Sequence, residues 1–304
     1  MSRPIPHTQA GAWPGEPPPG RFASLVRARS PEGCRVALLG LPDDLGVRLN
    51  GGRPGAVGGP AALRAALARY GTAEPAGWSW PAVFDAGDVI PATGNDPDAL
   101  AETHRRITEA TLAILDLGLL PIAIGGGHDL TYPFVRAVAP RIQNGPLGGV
   151  YFDAHLDVRE TVGSGMPFRR LIEEFGVKPL VNIGFNPLVN SREHHDWFIA
   201  RGGFFRPMPG GQWPEFGKPQ FVSVDLDSID ASQAPGVSAP NPAGLLTHDV
   251  ARALTAAGRC PAVRCLDLME LNPLFDPDGR TARCAAHLLL SFLHGFAERP
   301  GGGA

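Results

Sequence analysis

Asp153-Ala-His155-Leu-Asp157 sets two carboxylates and an imidazole directly after the apolar run Gly149-Val150-Tyr151-Phe152. That run reads as a short buried strand, so the polar side chains fall where a strand gives way to a loop. Ionised carboxylate and neutral imidazole are lone-pair donors that suit borderline and hard divalent cations. The same residues have a plainer use, as carboxylates that cap turns and a histidine satisfied by backbone. The cluster therefore gains weight only from its company.

Phe221-Val-Ser-Val-Asp225-Leu-Asp227 repeats the design, an apolar strand that delivers carboxylates at its end. Asp225 and Asp227 share a face for as long as the strand continues. Gly125-Gly126-Gly127-His128 closes another apolar run, and three glycines let the backbone turn sharply and bring His128 to the strand ends; alternatively His128 only begins the next helix. His128, Asp153, His155, Asp157, Asp225 and Asp227 thus gather at the edge where open α/β sheets build their sites. Such a carboxylate-rich set, without cysteine, exceeds the needs of one tetrahedral zinc and suits two divalent ions, which together lower the pKa of a water.

The elements that must position these residues alternate. Strands are expected at 35–39, 83–84, 120–124, 149–152, 180–184, 221–225 and 262–268, and helices at 61–70, from Asp96 or Asp98 to Leu117, and at 130–138, 168–175, 191–200 and 281–296. The alternation predicts a mainly parallel sheet covered on both faces. Residues 40–60 read as a long glycine-rich loop near a site; it lacks the Gly-Lys-Ser/Thr ending of a P-loop. His104 is expected to be solvent-exposed or capping. The Pro/Gly-rich stretch 1–31 reads as an irregular arm, 32–304 as one α/β domain and 301–304 as a frayed tail.

The chain has 304 residues, 27 basic and 30 acidic, for a net charge of -3. No run of Lys or Arg is long enough to track a phosphate backbone, which argues against nucleic acid as a partner. No segment has the unbroken apolar length of a membrane span and no secretory signal is evident, so a cytoplasmic location away from membranes is expected. Cys34, Cys260, Cys265 and Cys284 form no Cys-x-x-Cys pair and read as reduced core residues.

Gly-Gly-Gly-His128, Asp153-Ala-His155-Leu-Asp157, and Ser223-Val-Asp225-Leu-Asp227-Ser-Ile-Asp230 followed by Ala234-Pro-Gly-Val-Ser-Ala-Pro240 resemble the three metal signatures of the ureohydrolase family. That family includes arginase, agmatinase and formimidoylglutamase, and the resemblance runs from about Arg35 onward. It implies a three-layer α/β/α sandwich with a mainly parallel central sheet and two manganese ions as the only cofactor. Asp153 and Asp225 would bridge them, His128 and Asp157 complete one site, and His155 and Asp227 the other.

Arginases and agmatinases usually carry Gly-Gly-Asp-His where this chain has Gly125-Gly-Gly127-His128, and a histidine where it has Ser164 before Gly-Met-Pro. Formimidoylglutamases resemble the chain at both points and share the loop Gly46-Val-Arg-Leu-Asn50-Gly-Gly-Arg53-Pro-Gly55. The resemblance therefore implies a homo-oligomeric enzyme that cuts N-formimidoyl-L-glutamate to L-glutamate and formamide. Glu270 matches the glutamate that holds the amidine or guanidinium group, and Asp157 would pass a proton to the leaving nitrogen. Arg159 stands where arginase has an asparagine near the substrate carboxylate; Arg169 and Ser164 are further candidates for substrate contact. Either arginine could instead be a solvated surface charge. Two other readings stay open: a guanidine hydrolase of the agmatinase or guanidinobutyrase type that releases urea, and a catalytically silent metal-binding subunit.

Overall fold

Short apolar runs punctuated by glycine, proline and aspartate can be buried on both faces only as strands inside a covered sheet. The computed structural model describes residues 5–73, 79–143, 145–208, 213–214 and 216–299. Its strands are β1 Thr8–Gln9, β2 Val26–Arg27, β3 Val36–Leu41, β4 Val83–Val89, β5 Leu120–Gly125, β6 Gly148–Phe152, β7 Leu180–Ile183, β8 Gly203–Phe205, β9 Gln220–Asp225 and β10 Val263–Met269. They form a ten-stranded sheet of order β1-β4-β3-β5-β10-β9-β6-β7-β8, with β2 also paired to β4. Every pairing is parallel except that of β1 with β4.

The helices are α1 Leu45–Leu49, α2 Gly59–Leu67, α3 Pro97–Asp116, α4 Thr131–Val138, α5 Pro167–Phe175, α6 Arg192–Ala200, α7 Thr247–Arg259 and α8 Arg280–Ala297. Alternation along a strand decides which layer each residue meets. Val36 and Leu38 join the core of α2, α7 and α8, while Ala37 and Leu39 join that of α3 to α6. The result is the expected three-layer α/β/α sandwich. Each fully buried leucine or phenylalanine contributes about 1.5–3 kcal/mol, so Leu289→Ala in α8 should cost about 2–5 kcal/mol.

Local signals explain several boundaries. The Asp96 side chain accepts from the Ala99 N–H at 2.9 Å and Pro97 opens α3, and Ser191 caps α6 in the same way. Several elements depart from expectation, among them the short strands β1, β2 and β8. The loop at 40–60 contains α1 and a 3-10 turn, and α7 arises where no helix was expected. His104 also differs, being buried with Nε2 2.9 Å from Asp129 Oδ2 rather than exposed.

In the described part of the N-terminal arm, β1 and β2 pair with β4 and so tie it to the sheet. Trp13 Nε1 donates to Asp85, whose carboxylate also receives the fully buried Arg64 at 2.9 and 3.0 Å. The tail at 301–304 lies outside the described residues. The four cysteines are buried and free. Among the described residues, no helix is long and apolar enough to cross a membrane.

Candidate active site

The C-terminal ends of β3, β5, β10, β9 and β6, consecutive in the sheet, open on one edge because these strands run parallel. Loops from that edge carry the candidate residues. β5 leads into a 3-10 turn that starts at His128; β6 delivers Asp153, His155 and Asp157; β9 ends at Asp225; and Glu270 follows β10. The glycines before His128 serve close approach rather than unusual torsion. A Cβ on Gly126 would lie 1.8 Å from the Asp43 carbonyl oxygen, and one on Gly127 would lie 2.7 Å from Asp129 Oδ1.

The turn-capping and metal readings of the aspartates prove compatible. Asp153 Oδ1 accepts the His155 N–H at 2.6 Å, and Asp225 Oδ1 accepts the Asp227 N–H at 2.8 Å. Each strand-end carboxylate thus closes its own turn with one oxygen. The other oxygen faces His128, whose Nδ1 lies 3.2 Å from Asp153 Oδ2 and 3.1 Å from Asp225 Oδ2. Asp157 Oδ2 completes this group at 2.8 Å from the same nitrogen. His155 Nδ1 lies 3.3 Å from both Asp153 Oδ1 and Asp227 Oδ2. The strand stops at Asp225, so Asp227 reaches the site from a 3-10 turn and not along continued strand.

Two groups of ligand atoms result, His128-Asp153-Asp157-Asp225 and Asp153-His155-Asp227. Asp153 belongs to both and Asp225 to the first alone, whereas the resemblance implies both as bridges. Asp157 and Glu270 hold φ values of 49° and 69°. Such left-handed backbone is strained for residues with a Cβ and concentrates at functional sites.

Packing four carboxylates and two imidazoles together perturbs them all. Burial opposes protonation of His155, but hydrogen bonds that its ring donates to Asp153 and Asp227 outweigh it and push the imidazole up to about 12. Burial opposes protonation of His128 too, yet the charge of Asp225 and contacts with the other aspartates raise it well above its usual value. Burial and the charge of Asp227 hold Asp225 well above the usual carboxylate range, and burial pushes Asp227 up to about 7. Among the described residues, the buried Asp227 Oδ1 has no hydrogen-bond partner. Buried like charges and an orphaned carboxylate oxygen are relieved together by divalent cations. The oxygen-rich donor set fits hard to borderline metals such as manganese.

Beside the clusters lies a cavity of about 130 Å³, walled by His128, His155, Asp157, Asp225 and Asp227, and also by Asn50, Arg159, Ser164, Ser238 and Glu270. Glu270 Oε1 accepts the His128 N–H at 2.8 Å, and Oε2 is buried with no hydrogen-bond partner of good geometry among the described residues, although the Ser238 side chain acts on the carboxyl. Burial, then the charge of Asp225, pushes the Glu270 carboxyl up to about 8, and divalent cations in the clusters beside it would oppose that shift and favour the carboxylate. At the exposed rim, Arg159 Nη1 donates to Asn50 Oδ1 at 2.7 Å, and Asn50 Nδ2 donates to Ser164 Oγ at 3.1 Å.

Arg169 does not line this cavity. It pairs with Glu160 and, at 3.2 Å, with Glu173, and its guanidinium sits 4.7 Å from the Trp197 ring centre. Its candidacy as a substrate contact therefore lacks support, because its charge is already answered elsewhere. Asn50 and Ser238 were missed by sequence reasoning, although both fall inside motifs quoted above, the glycine-rich loop and Ala-Pro-Gly-Val-Ser-Ala-Pro.

A family model described as "Arginase family" matches residues 34–204 and 212–295. A formimidoylglutamase of Aromatoleum aromaticum is 33% identical, covering 92% of this chain and 89% of that protein. The mitochondrial guanidino acid hydrolase of Homo sapiens is 32% identical, covering 87% of this chain and 79% of that one. The crystal structure of Trypanosoma cruzi formiminoglutamase with Mn2+ superimposes with a TM-score of 0.83 at 32% identity, covering 94% of this chain and all of that one.

Proposed function

The chain belongs to the arginase family, and from that premise we propose that it hydrolyses N-formimidoyl-L-glutamate to L-glutamate and formamide with two manganese ions bound. The observation that carries this reading is one cavity lined both by Glu270, whose Oε2 is buried with no hydrogen-bond partner among the described residues, and by Arg159 at the rim. The substrate has the complementary ends, a cationic amidine and two carboxylates.

His128, Asp153, Asp157 and Asp225 would hold one ion, and Asp153, His155 and Asp227 the other. When bound, such ions supply a nucleophile at neutral pH and a Lewis acid beside the amidine. Glu270 Oε2 pairs with the amidinium, and the His128 N–H keeps the carboxylate from rotating away through Oε1. Arg159 grips a substrate carboxylate with the N–H groups not given to Asn50, a charge-assisted contact with planar geometry. Ser164, held by Asn50, presents its hydroxyl to the same end. Water adds at the amidine carbon and the bond to the glutamate nitrogen breaks. Asp157 carries a proton to that nitrogen, which must leave as an amine.

A second reading is favoured by the human relative: a guanidino acid also offers a cation and a carboxylate to Glu270 and Arg159. The products decide. With manganese supplied, formamide from formimidoylglutamate is measured against urea from arginine, agmatine and guanidinobutyrate. Dominant formamide release is expected, and dominant urea release from guanidinobutyrate would transfer the chain to the second reading.

A further inference from the structure

We propose that Ser223 and Asp267 form a relay that fixes His128 as a ligand through Nδ1. The inference rests on the reading of His128 as a metal ligand. It begins with register, since the parallel pairing of β9 and β10 sets Asp267 directly beside Ser223. Both are fully buried, as is Thr131 of α4. Ser223 Oγ donates to Asp267 Oδ1 at 2.6 Å and lies 3.1 Å from His128 Nε2. Thr131 Oγ1 stands 3.4 Å from the same hydroxyl.

A serine hydroxyl has one proton to give, and here Asp267 receives it. Toward His128 the hydroxyl can then only accept, so Nε2 must carry the hydrogen. The lone pair of the neutral ring is left on Nδ1, the atom within 3.2 Å of Asp153, Asp157 and Asp225. The Phe168 ring, edge-on at 5.3 Å, restricts rotation of the imidazole out of this position.

The placement is costly unless it serves the site. Tyr151, Phe221, Cys265 and Met269 make this face of the sheet an apolar core, and among the described residues Asp267 Oδ2 has no hydrogen-bond partner there, so the pair carries a desolvation cost that sheet packing alone does not offset. His155 differs, since its side chain is 29% exposed and Asp153 and Asp227 approach its Nδ1. Loss of the relay should therefore weaken one of the two ions. A partner of this kind, hydrogen-bonded to a ligating histidine, is worth on the order of 10–100-fold in metal affinity.

The test is titration of the metal-free full chain with Mn2+ alone, free ion being followed by electron paramagnetic resonance. Melting of the metal-free protein is measured alongside. Wild type should take up two ions per chain. Ser223→Ala should bind one of them on the order of 10–100-fold more weakly with the other unchanged and metal-free melting preserved. Asp267→Asn should weaken the same ion by less, because the amide oxygen still accepts from Ser223, and Ser223→Thr should restore tight binding. Wild-type affinity for both ions in Ser223→Ala would overturn the proposal. So would equal weakening of both ions with lowered metal-free melting, which would mark the pair as support for the sheet. Fewer than two ions on the wild-type chain would overturn the two-ion reading itself, and the proposal with it, before any variant is compared.

Discussion

Glu270 and His128 are joined by a hydrogen bond of 2.8 Å from the histidine N–H to Oε1, and Glu270 Oε2 is buried with no hydrogen-bond partner among the described residues. One contact thus links the residue that would receive the substrate cation to the backbone of a residue that would hold metal. It also explains why a strained residue follows β10: with φ at 69°, the Glu270 backbone turns back toward β5, where its N–H donates to the Gly126 carbonyl oxygen at 2.8 Å.

Glu270→Gln should retain metal and lose activity. The amide oxygen can still accept from His128, but the NH2 group would face the amidinium with no charge to offer. Loss of a charge-assisted pair worth roughly 1.5–3 kcal/mol corresponds to about a ten- to hundredfold fall in kcat/KM. Metal analysis beside kinetics checks it, and loss of metal would instead place Glu270 in the coordination sphere.

The two aspartates expected as bridges should behave differently. Asp153→Asn removes charge from both ligand groups and should abolish activity and deplete all bound metal. Asp225→Asn touches the His128 group alone and should leave a chain that still binds one ion. Chelation of the wild type should abolish turnover, with added Mn2+ restoring it. Equal metal content in the two variants, measured by elemental analysis after dialysis, would show that Asp225 bridges as Asp153 does.

The strands β3 to β7, β9 and β10 and the gathering of the candidate ligand residues at one edge were legible because strand-end carboxylates are written locally, as an apolar run followed by Asp-x-His-x-Asp or Asp-x-Asp, whereas the short β8 carries no such mark. What escaped was nonlocal or unmarked. His104 sits on a helix whose polarity says nothing of Asp129, which only the packing of α3 on the β5 turn brings to it. α7 lacks a capping side chain at Leu246, so the usual start signal is missing. Arg169 finds Glu160 across a loop, a contact that spacing along α5 does not suggest. Asp227 was placed on the correct edge by strand periodicity although a 3-10 turn delivers it.

Arg169→Ala should leave kcat/KM within about twofold, because partly exposed ion pairs such as those with Glu160 and Glu173 contribute at most about 1 kcal/mol and serve the α5 surface. Melting temperature should fall by a few degrees at most. A selective rise in KM for formimidoylglutamate at unchanged stability would return Arg169 to the substrate site.

Arg159 separates substrates that carry a carboxylate from those that do not. Its backbone N–H bonds the Gly165 carbonyl oxygen at 2.8 Å and its Nη1 bonds Asn50 Oδ1 at 2.7 Å, so the guanidinium is held at the rim before substrate arrives. Arg159→Ala should cost about ten- to a hundredfold in kcat/KM on formimidoylglutamate, the value of roughly 1.5–3 kcal/mol for a charge-assisted contact. Slow turnover of a simple amidine without carboxylates should change little, since the metal ligands are untouched. Arg159→Lys should recover only part of the loss, because an ammonium lacks the planar fork that meets both carboxylate oxygens. Asn50→Ala should give a smaller loss of the same selectivity by freeing the guanidinium rather than removing it. Kinetics of the three variants on both substrates decide the matter: an equal fall on both would mean that Arg159 supports the loop that carries Asp157, and no fall on either would leave it a surface charge.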